Sequence, residues 1–241
     1  MNKNIHYEDQ FIEQVWRLPD VWVLFTPPEN SIKVADLPAL QNNFITFGCF
    51  HNPAKVSHKT LQLWAEVLKK VQNSKLIWCR GELKETALAE KFRNELLQNG
   101  VLPEQITLFA NSNSDEYFQT YAKVDFVLDT TPVCGGTTTC EALYMGVPTL
   151  TLAGELMSGR LSCSILHAVG LDAWICQSEQ EYIENAIKIS QKDNWQNLAH
   201  LRQQLRQKVV NSPLCDSPRF AENFEAAMWG MWKKFLQEQA A

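Results

Sequence analysis

From Phe44 onward, short apolar runs alternate with longer segments whose apolar positions recur every three or four residues. Phe44–Phe47, Leu76–Cys79, Ile106–Phe109, Val124–Leu128, Pro148–Leu152 and Ala173–Cys176 read as strands. Between them, Ser57 opens a helix with the stripe Leu61, Trp64, Ala65, Leu68 and Val71. A second helix runs through Leu88, Phe92, Leu96 and Leu97 to Gly100, and Ser114 is expected to cap a third through Tyr117, Phe118 and Tyr121. Further helices are predicted after the threonines at 137–139, over Arg160–Ala168, and in the tail at 182–189, 195–210 and 220–236. Before Phe44 the order is less regular. Tyr7–Arg17 suggests a short helix and Val21–Phe25 a strand, while Pro27, Pro28 and Pro38 keep the next stretch extended.

Alternation of strand and helix at these intervals predicts an α/β fold, a parallel sheet with helices on both faces. Ligands then bind beyond the carboxyl ends of the strands. Those ends carry residues 51–55, 111–114, 130–138 and 153–158. The most informative is DTTPVCGGTTTCEALYMG, Asp129–Gly146. A buried strand ends in a carboxylate, Gly135 and Gly136 let backbone approach a ligand closely, and Thr137 and Thr138 place hydroxyls at a helix start. Free N–H groups and the helix dipole favour an anion there. No Walker lysine follows the glycines and the three-glycine dinucleotide spacing is absent, which excludes those two motifs.

Several residues near these ends have two readings. Lys55 is a solvated lysine or a cation aimed at a phosphate. Glu141, four residues after Thr137, is a surface charge or a carboxylate accepting two ribose hydroxyls. Tyr117 is a core aromatic or a platform for a flat base, and Arg160 a helix-start charge or a second anion contact. His167 reads as a core residue. The side chains form no Ser-His-Asp or Cys-His constellation.

Composition narrows the class. The chain has 241 residues, 45% hydrophobic, with eight Trp and twelve Phe, which indicates a globular protein with a sizeable core. A net charge of −5 without a long basic run argues against a nucleic-acid surface. No apolar stretch is long enough to span a bilayer, and the first ten residues lack a signal-peptide core, so no membrane partner is expected. Seven scattered cysteines without a CxxC pair read as buried free thiols in a reducing cytoplasm, and the five histidines lack metal-ligand spacing.

FITFGCFHNPAKVS, LQLWAEVLKKVQNSKL, LDTTPVCGGTTTCEALYMGVPTLTLAGE and SPLCDSPRF occur in the order found in bacterial relatives of protein O-GlcNAc transferase. From about residue 15 onward the chain resembles this family, glycosyltransferase family 41, which includes the SPINDLY-type proteins. The resemblance implies the C-terminal, nucleotide-sugar-binding lobe of a two-lobed GT-B enzyme, with a Rossmann-like sheet. Residues 1–40 would then be the tail of an acceptor lobe or a linker, and 41–241 the donor lobe with its C-terminal helices. It further implies that Lys55 contacts the donor diphosphate as the catalytic cation, with Asn52 beside it. Gly135, Gly136, Thr137 and Thr138 would surround the phosphates, Glu141 would bind ribose and Tyr117 would lie near the base. Gly159 replaces the usual serine before Arg160, which weakens the carry-over to that arginine. The implied donor is UDP-GlcNAc without a metal or other cofactor, and the implied acceptor a protein Ser or Thr. In the family the acceptor lobe, the histidines proposed for chemistry and the tetratricopeptide repeats lie N-terminal to this region. A separate acceptor lobe or repeat-containing chain is therefore an expected partner. Two rivals stand beside this reading: a catalytically incomplete module that binds nucleotide or docks on another chain, and a GT-B transferase using GDP- or ADP-sugars.

Overall fold

The structure, a computed structural model, describes residues 11–29, 32–111 and 113–239. Six strands, β1 (Thr46–Cys49), β2 (Lys75–Cys79), β3 (Ile106–Phe109), β4 (Phe126–Leu128), β5 (Thr149–Leu152) and β6 (Ile175–Cys176), pair in parallel in the order β3-β2-β1-β4-β5-β6. The helices among the described residues are α1 (Pro38–Asn42), α2 (His58–Lys70), α3 (Thr86–Gln98), α4 (Ser114–Thr120), α5 (Thr137–Tyr144), α6 (Leu161–Ala168), α7 (Glu179–Ser190), α8 (Trp195–Val210) and α9 (Ser217–Gln239).

The period of two along each strand sorts the core. Phe47, Trp78, Phe126 and Leu128 point to one face, where Leu61, Trp64 and Leu68 of α2, Phe92 and Leu96 of α3 and Tyr182 of α7 cover them. Cys79 and Val127 point to the other, with Tyr117 and Phe118 of α4 and Ala142 of α5. This is the Rossmann-like arrangement expected from the sequence. Gly48 shows how tight it is: a Cβ there would lie 2.6 Å from Val124 Cγ1. Strand order reverses between β1 and β4, so the loops leaving their carboxyl ends part to opposite sides and leave a crevice.

Some local expectations need correction. Residues 21–25 form no strand; Val21 and Phe25 bury their side chains in the core, and Phe25 N–H bonds the carbonyl of Leu214, itself in no strand. Residues 11–17 are not helical, and the start of that expected helix lies outside the described residues. Pro38 does not keep its stretch extended but opens α1, where its missing N–H costs nothing. Asn113, not Ser114, caps α4, its side chain accepting from Glu116 N at 3.0 Å. His167 is exposed on α6 and contacts Asp172 at 2.6 Å. Ser57 caps α2 as expected, accepting from Thr60 N.

The segment before β1 packs on the same body. Leu37 and Ala39 are buried, and Trp16 lies against Gly230 of α9, where a Cβ would come within 2.4 Å of the indole. A cleft of about 480 Å³ lined by Asp36, Phe44, Lys75 and Lys123 opens where β1 and β2 begin, at the opposite end of the strands from the crevice.

Candidate functional site

Two loops build the site, residues 50–57 after β1 and 129–136 after β4. Several bonds tie them together. Lys55 Nζ donates to the Cys134 carbonyl at 2.9 Å. Ser57 Oγ and Thr60 Oγ1 both donate to the Thr131 carbonyl, at 2.5 and 2.6 Å, and Val56 bridges Pro132. Lys55 is thereby brought to the glycine turn. An ammonium has three hydrogens, so one such bond leaves two for a ligand.

Asp129, at the end of β4, organises the turn. Its Oδ1 accepts from Thr130 N and Gly135 N, each at 2.8 Å, and its Oδ2 from Thr151 Oγ1 at 2.7 Å. His51 Nε2 lies 3.0 Å from Oδ1, an ion-pair distance without hydrogen-bond alignment. Burial alone would raise this carboxyl; contacts with His51, Ser162 and Thr151 outweigh it and hold Asp129 below the usual carboxylate range. Gly135 has no room for a side chain, since a Cβ would meet Thr139 Oγ1 at 2.2 Å and His51 Cε1 at 2.7 Å.

Gly136 then caps α5 through backbone alone, and Thr137 and Thr138 occupy its first two positions. Their amides have no carbonyl one turn back to bond. Thr137 is exposed, and Thr138 is half-buried with its Oγ1 2.6 Å from His51 Nδ1. Thr139 turns inward instead, to Ser162 Oγ at 2.9 Å. Cys134 is buried beside Asp129, and its thiol is pushed up to about 12, first by burial and then by that carboxylate, so it carries no nucleophilic thiolate.

One turn along α5, Glu141 accepts from the Tyr117 hydroxyl at 2.6 Å, and that hydroxyl lies 2.9 Å from Tyr121. Burial raises the Glu141 carboxyl, an effect that the Tyr117 bond and the charge of Arg80 partly offset. Tyr117 itself is only 8% exposed, with ring edges on Phe50, Phe118 and Tyr121. Of its two readings the structure gives the core aromatic, not a free platform. Asn52 caps its own turn by accepting from Ala54 N, and donates to Glu82 at 2.9 Å. Arg160 stands at the start of α6 and donates to the Gly154 carbonyl at 3.2 Å.

Two participants escaped sequence reasoning. His51 is 1% exposed and sits between Asp129 and Thr138, although a single histidine in a loop carries no local signature. Trp22, 40% exposed, lies over Gly136 at 3.8 Å from where a Cβ would be, and donates to the Leu161 carbonyl. In the sequence it is one apolar position of the run 21–25, with nothing to link it to the glycine turn.

The arrangement offers a cation, unbonded amides and hydroxyls around one crevice, which suits an anionic ligand. A model of Glycosyl transferase family 41 matches residues 29–224. The chain is 37% identical over 230 residues to the probable UDP-N-acetylglucosamine–peptide N-acetylglucosaminyltransferase SPINDLY of Petunia hybrida, covering 95% of this chain and 24% of that protein. It thus spans about a quarter of the length of such curated relatives. Among solved structures, a mutant of the Thermobaculum terrenum O-GlcNAc transferase superposes with a TM-score of 0.85 at 30% identity, over 97% of this chain and 44% of that one. A sucrose-phosphate synthase from Thermosynechococcus elongatus shares the fold alone, with a TM-score of 0.52 at 17% identity over 84% of this chain and 48% of that one.

Proposed function

The chain belongs to glycosyl transferase family 41, and on that premise we propose that it is the donor-binding lobe of a transferase that moves a sugar from UDP-GlcNAc to a protein Ser or Thr. In this reading the diphosphate lies against the Thr137–Thr138 start of α5, with Gly135 and Gly136 giving it backbone access. Negative charge grows on the diphosphate as the bond to the sugar breaks. Lys55 and the positive end of α5 stabilise that charge, so the departure needs no metal ion. Glu141 takes the ribose hydroxyls. The base lies beyond it, bordered by the edge of the Tyr117 cluster and not stacked on Tyr117. Asn52, on the same turn as Lys55, and Arg160, at the start of α6, flank the donor in this scheme.

The observation that carries the proposal is the 2.9 Å bond from Lys55 Nζ to the Cys134 carbonyl, which fixes a cation at the glycine turn. Calorimetric titration with UDP tests it. Binding is expected, and Lys55→Ala is expected to weaken it by about tenfold or more, the worth of a charge-assisted contact. Absence of binding at millimolar UDP overturns the proposal, as does Lys55→Ala binding like the wild type. Competition by GDP or ADP at equal affinity would assign a different nucleotide sugar.

A second reading is favoured by one feature. Phe224, Met228, Trp229, Trp232 and Phe235 of α9 are each about half exposed, an apolar face unlike a solvated helix surface. On this reading the chain binds donor but needs a separate acceptor lobe for turnover. Transfer by the isolated chain would refute it.

A further inference from the structure

His51 lies between two groups that constrain its protons. Asp129 accepts from Thr130 N and Gly135 N on Oδ1 and from Thr151 Oγ1 on Oδ2, and Oδ1 lies 3.0 Å from Nε2; facing an acceptor-only carboxylate, Nε2 is best occupied by a hydrogen. The 2.6 Å between Nδ1 and Thr138 Oγ1 admits one hydrogen. In a neutral ring that hydrogen belongs to Thr138, whose hydroxyl donates inward and turns its lone pairs outward. In a charged ring Nδ1 donates to Oγ1, and the Thr138 proton is free to turn outward. An anion at the start of α5 repels the first arrangement and attracts the second.

We propose that His51 is a proton-linked positioning residue: occupation of the α5 start by a diphosphate draws a solvent proton onto His51 Nδ1 and turns the Thr138 hydroxyl into a donor to phosphate. This rests on the donor reading above. The charged and titratable groups around the ring are Asp129 after β4, Lys55 on its own loop, Glu141 one turn along α5, Arg80 after β2, and the buried Cys49 and Cys134 thiols. Of these, Lys55 and Arg80 oppose the added proton, while Asp129 and Glu141 favour it.

The test uses UDP-GlcNAc and not UDP. Its diphosphate is esterified at both ends and lacks the second phosphate ionisation near pH 6 that a terminal phosphate brings. Calorimetry between about pH 5.5 and 8.5, in buffers of different ionisation heat, reads the protons taken up on binding. The wild type should take up a proton toward the upper end of that range, and affinity should fall by up to about tenfold per pH unit there. His51→Asn, a neutral hydrogen-bonding side chain, should lose the uptake and flatten the profile. Thr138→Val should do the same without touching the ring. In wild-type protein with ¹⁵N-labelled histidine, donor addition should convert one ring from a single protonated nitrogen to two, a measurement that stands even if His51→Asn does not fold. Equal uptake in wild type and both variants, or ring nitrogens unmoved by bound donor, overturns the inference and leaves donor binding intact. Failure of wild-type protein to bind UDP-GlcNAc at any pH, despite binding UDP, also overturns it, and failure to bind either overturns the donor reading as well.

Discussion

Lys55 and Cys134 lie 79 positions apart in the chain, yet the lysine ammonium donates to the cysteine carbonyl at 2.9 Å. The bond closes the crevice where strand order reverses, between the loop after β1 and the loop after β4. Each loop is short and begins directly at a buried strand end, so the sheet fixes where both start. The turn between them is then set by Asp129, whose carboxylate gathers Thr130 N, Gly135 N and Thr151 Oγ1 from three places. A rigid scaffold with irregular backbone at its rim is the usual way to hold a charged ligand.

Gly135 is the position least able to carry a side chain. Gly135→Ala would drive a methyl into Thr139 Oγ1 and His51 Cε1, both fixed by their own bonds. Overpacking of this kind costs about 1–3 kcal/mol. Denaturant unfolding should show a lowered midpoint with unchanged slope, and UDP affinity should fall because the start of α5 is displaced. A variant with wild-type stability and affinity would contradict the tight turn described here.

Asp129→Asn should cost about 3 kcal/mol, since an amide nitrogen would face donors that now meet a carboxylate oxygen. The pH dependence has a definite sign. The folded Asp129 carboxyl lies below its unfolded value, so its contribution is complete above the ordinary carboxylate range. It is lost as pH falls through the folded value. Thermal melts across the acid range should show a steep loss in the wild type and a shallower one in the variant.

In the proposed donor mode Glu141 holds the ribose, which separates ribose recognition from phosphate recognition. Its carboxyl is bound on one side by the Tyr117 hydroxyl, leaving acceptor capacity on the other oxygen. Wild-type protein should bind UDP about tenfold more tightly than its 2′-deoxy analogue, while Glu141→Ala should bind the two alike. Tyr117→Phe should weaken UDP modestly, by raising a carboxyl that burial already raises. Full discrimination retained in Glu141→Ala would remove this residue from the ribose.

Much of this was legible in the sequence, and the exceptions have physical causes. Strand ends at 79 and 128 follow from apolar runs, and the Thr137 helix start from glycines before hydroxyls. The first strand did not: the apolar run predicts an end at Phe47, yet β1 continues through Gly48 to Cys49, because a glycine that reads as a turn can also pair where Val124 leaves no room for a side chain. Lys55 was legible because it sits in a strand-end loop. Val21–Phe25 misled because an apolar run looks the same whether it pairs or merely inserts two side chains in a core. His51 was silent because its partners, Asp129 and Thr138, reach it only once β1 and β4 are neighbours. Arg202 was equally silent: on the polar-looking helix α8 it is wholly buried.

That arginine and Asp125 make the final prediction. Arg202 donates to the carbonyls of Ala35, Val124 and Tyr121 at 2.7, 2.7 and 3.0 Å, pinning α8 and the segment before β1 to the sheet. Asp125 accepts from Ala39 N and Thr46 N, at 2.8 and 2.7 Å. Burial raises its carboxyl to about 6, against those two bonds and the nearby Arg202 charge. The folded state therefore holds this proton more tightly than the unfolded chain does. Stability from this group falls as pH rises from the ordinary carboxylate value through about 6, by about 3 kcal/mol for a shift of two units, and is level above. Arg202→Met would leave three carbonyls unpaired and should cost about 3–5 kcal/mol. It also withdraws the positive charge that lowers Asp125, so the descending limb should move to higher pH. Urea unfolding at a series of pH values reads both effects, and a limb that stays in place in Arg202→Met would show that the two buried charges do not sense each other.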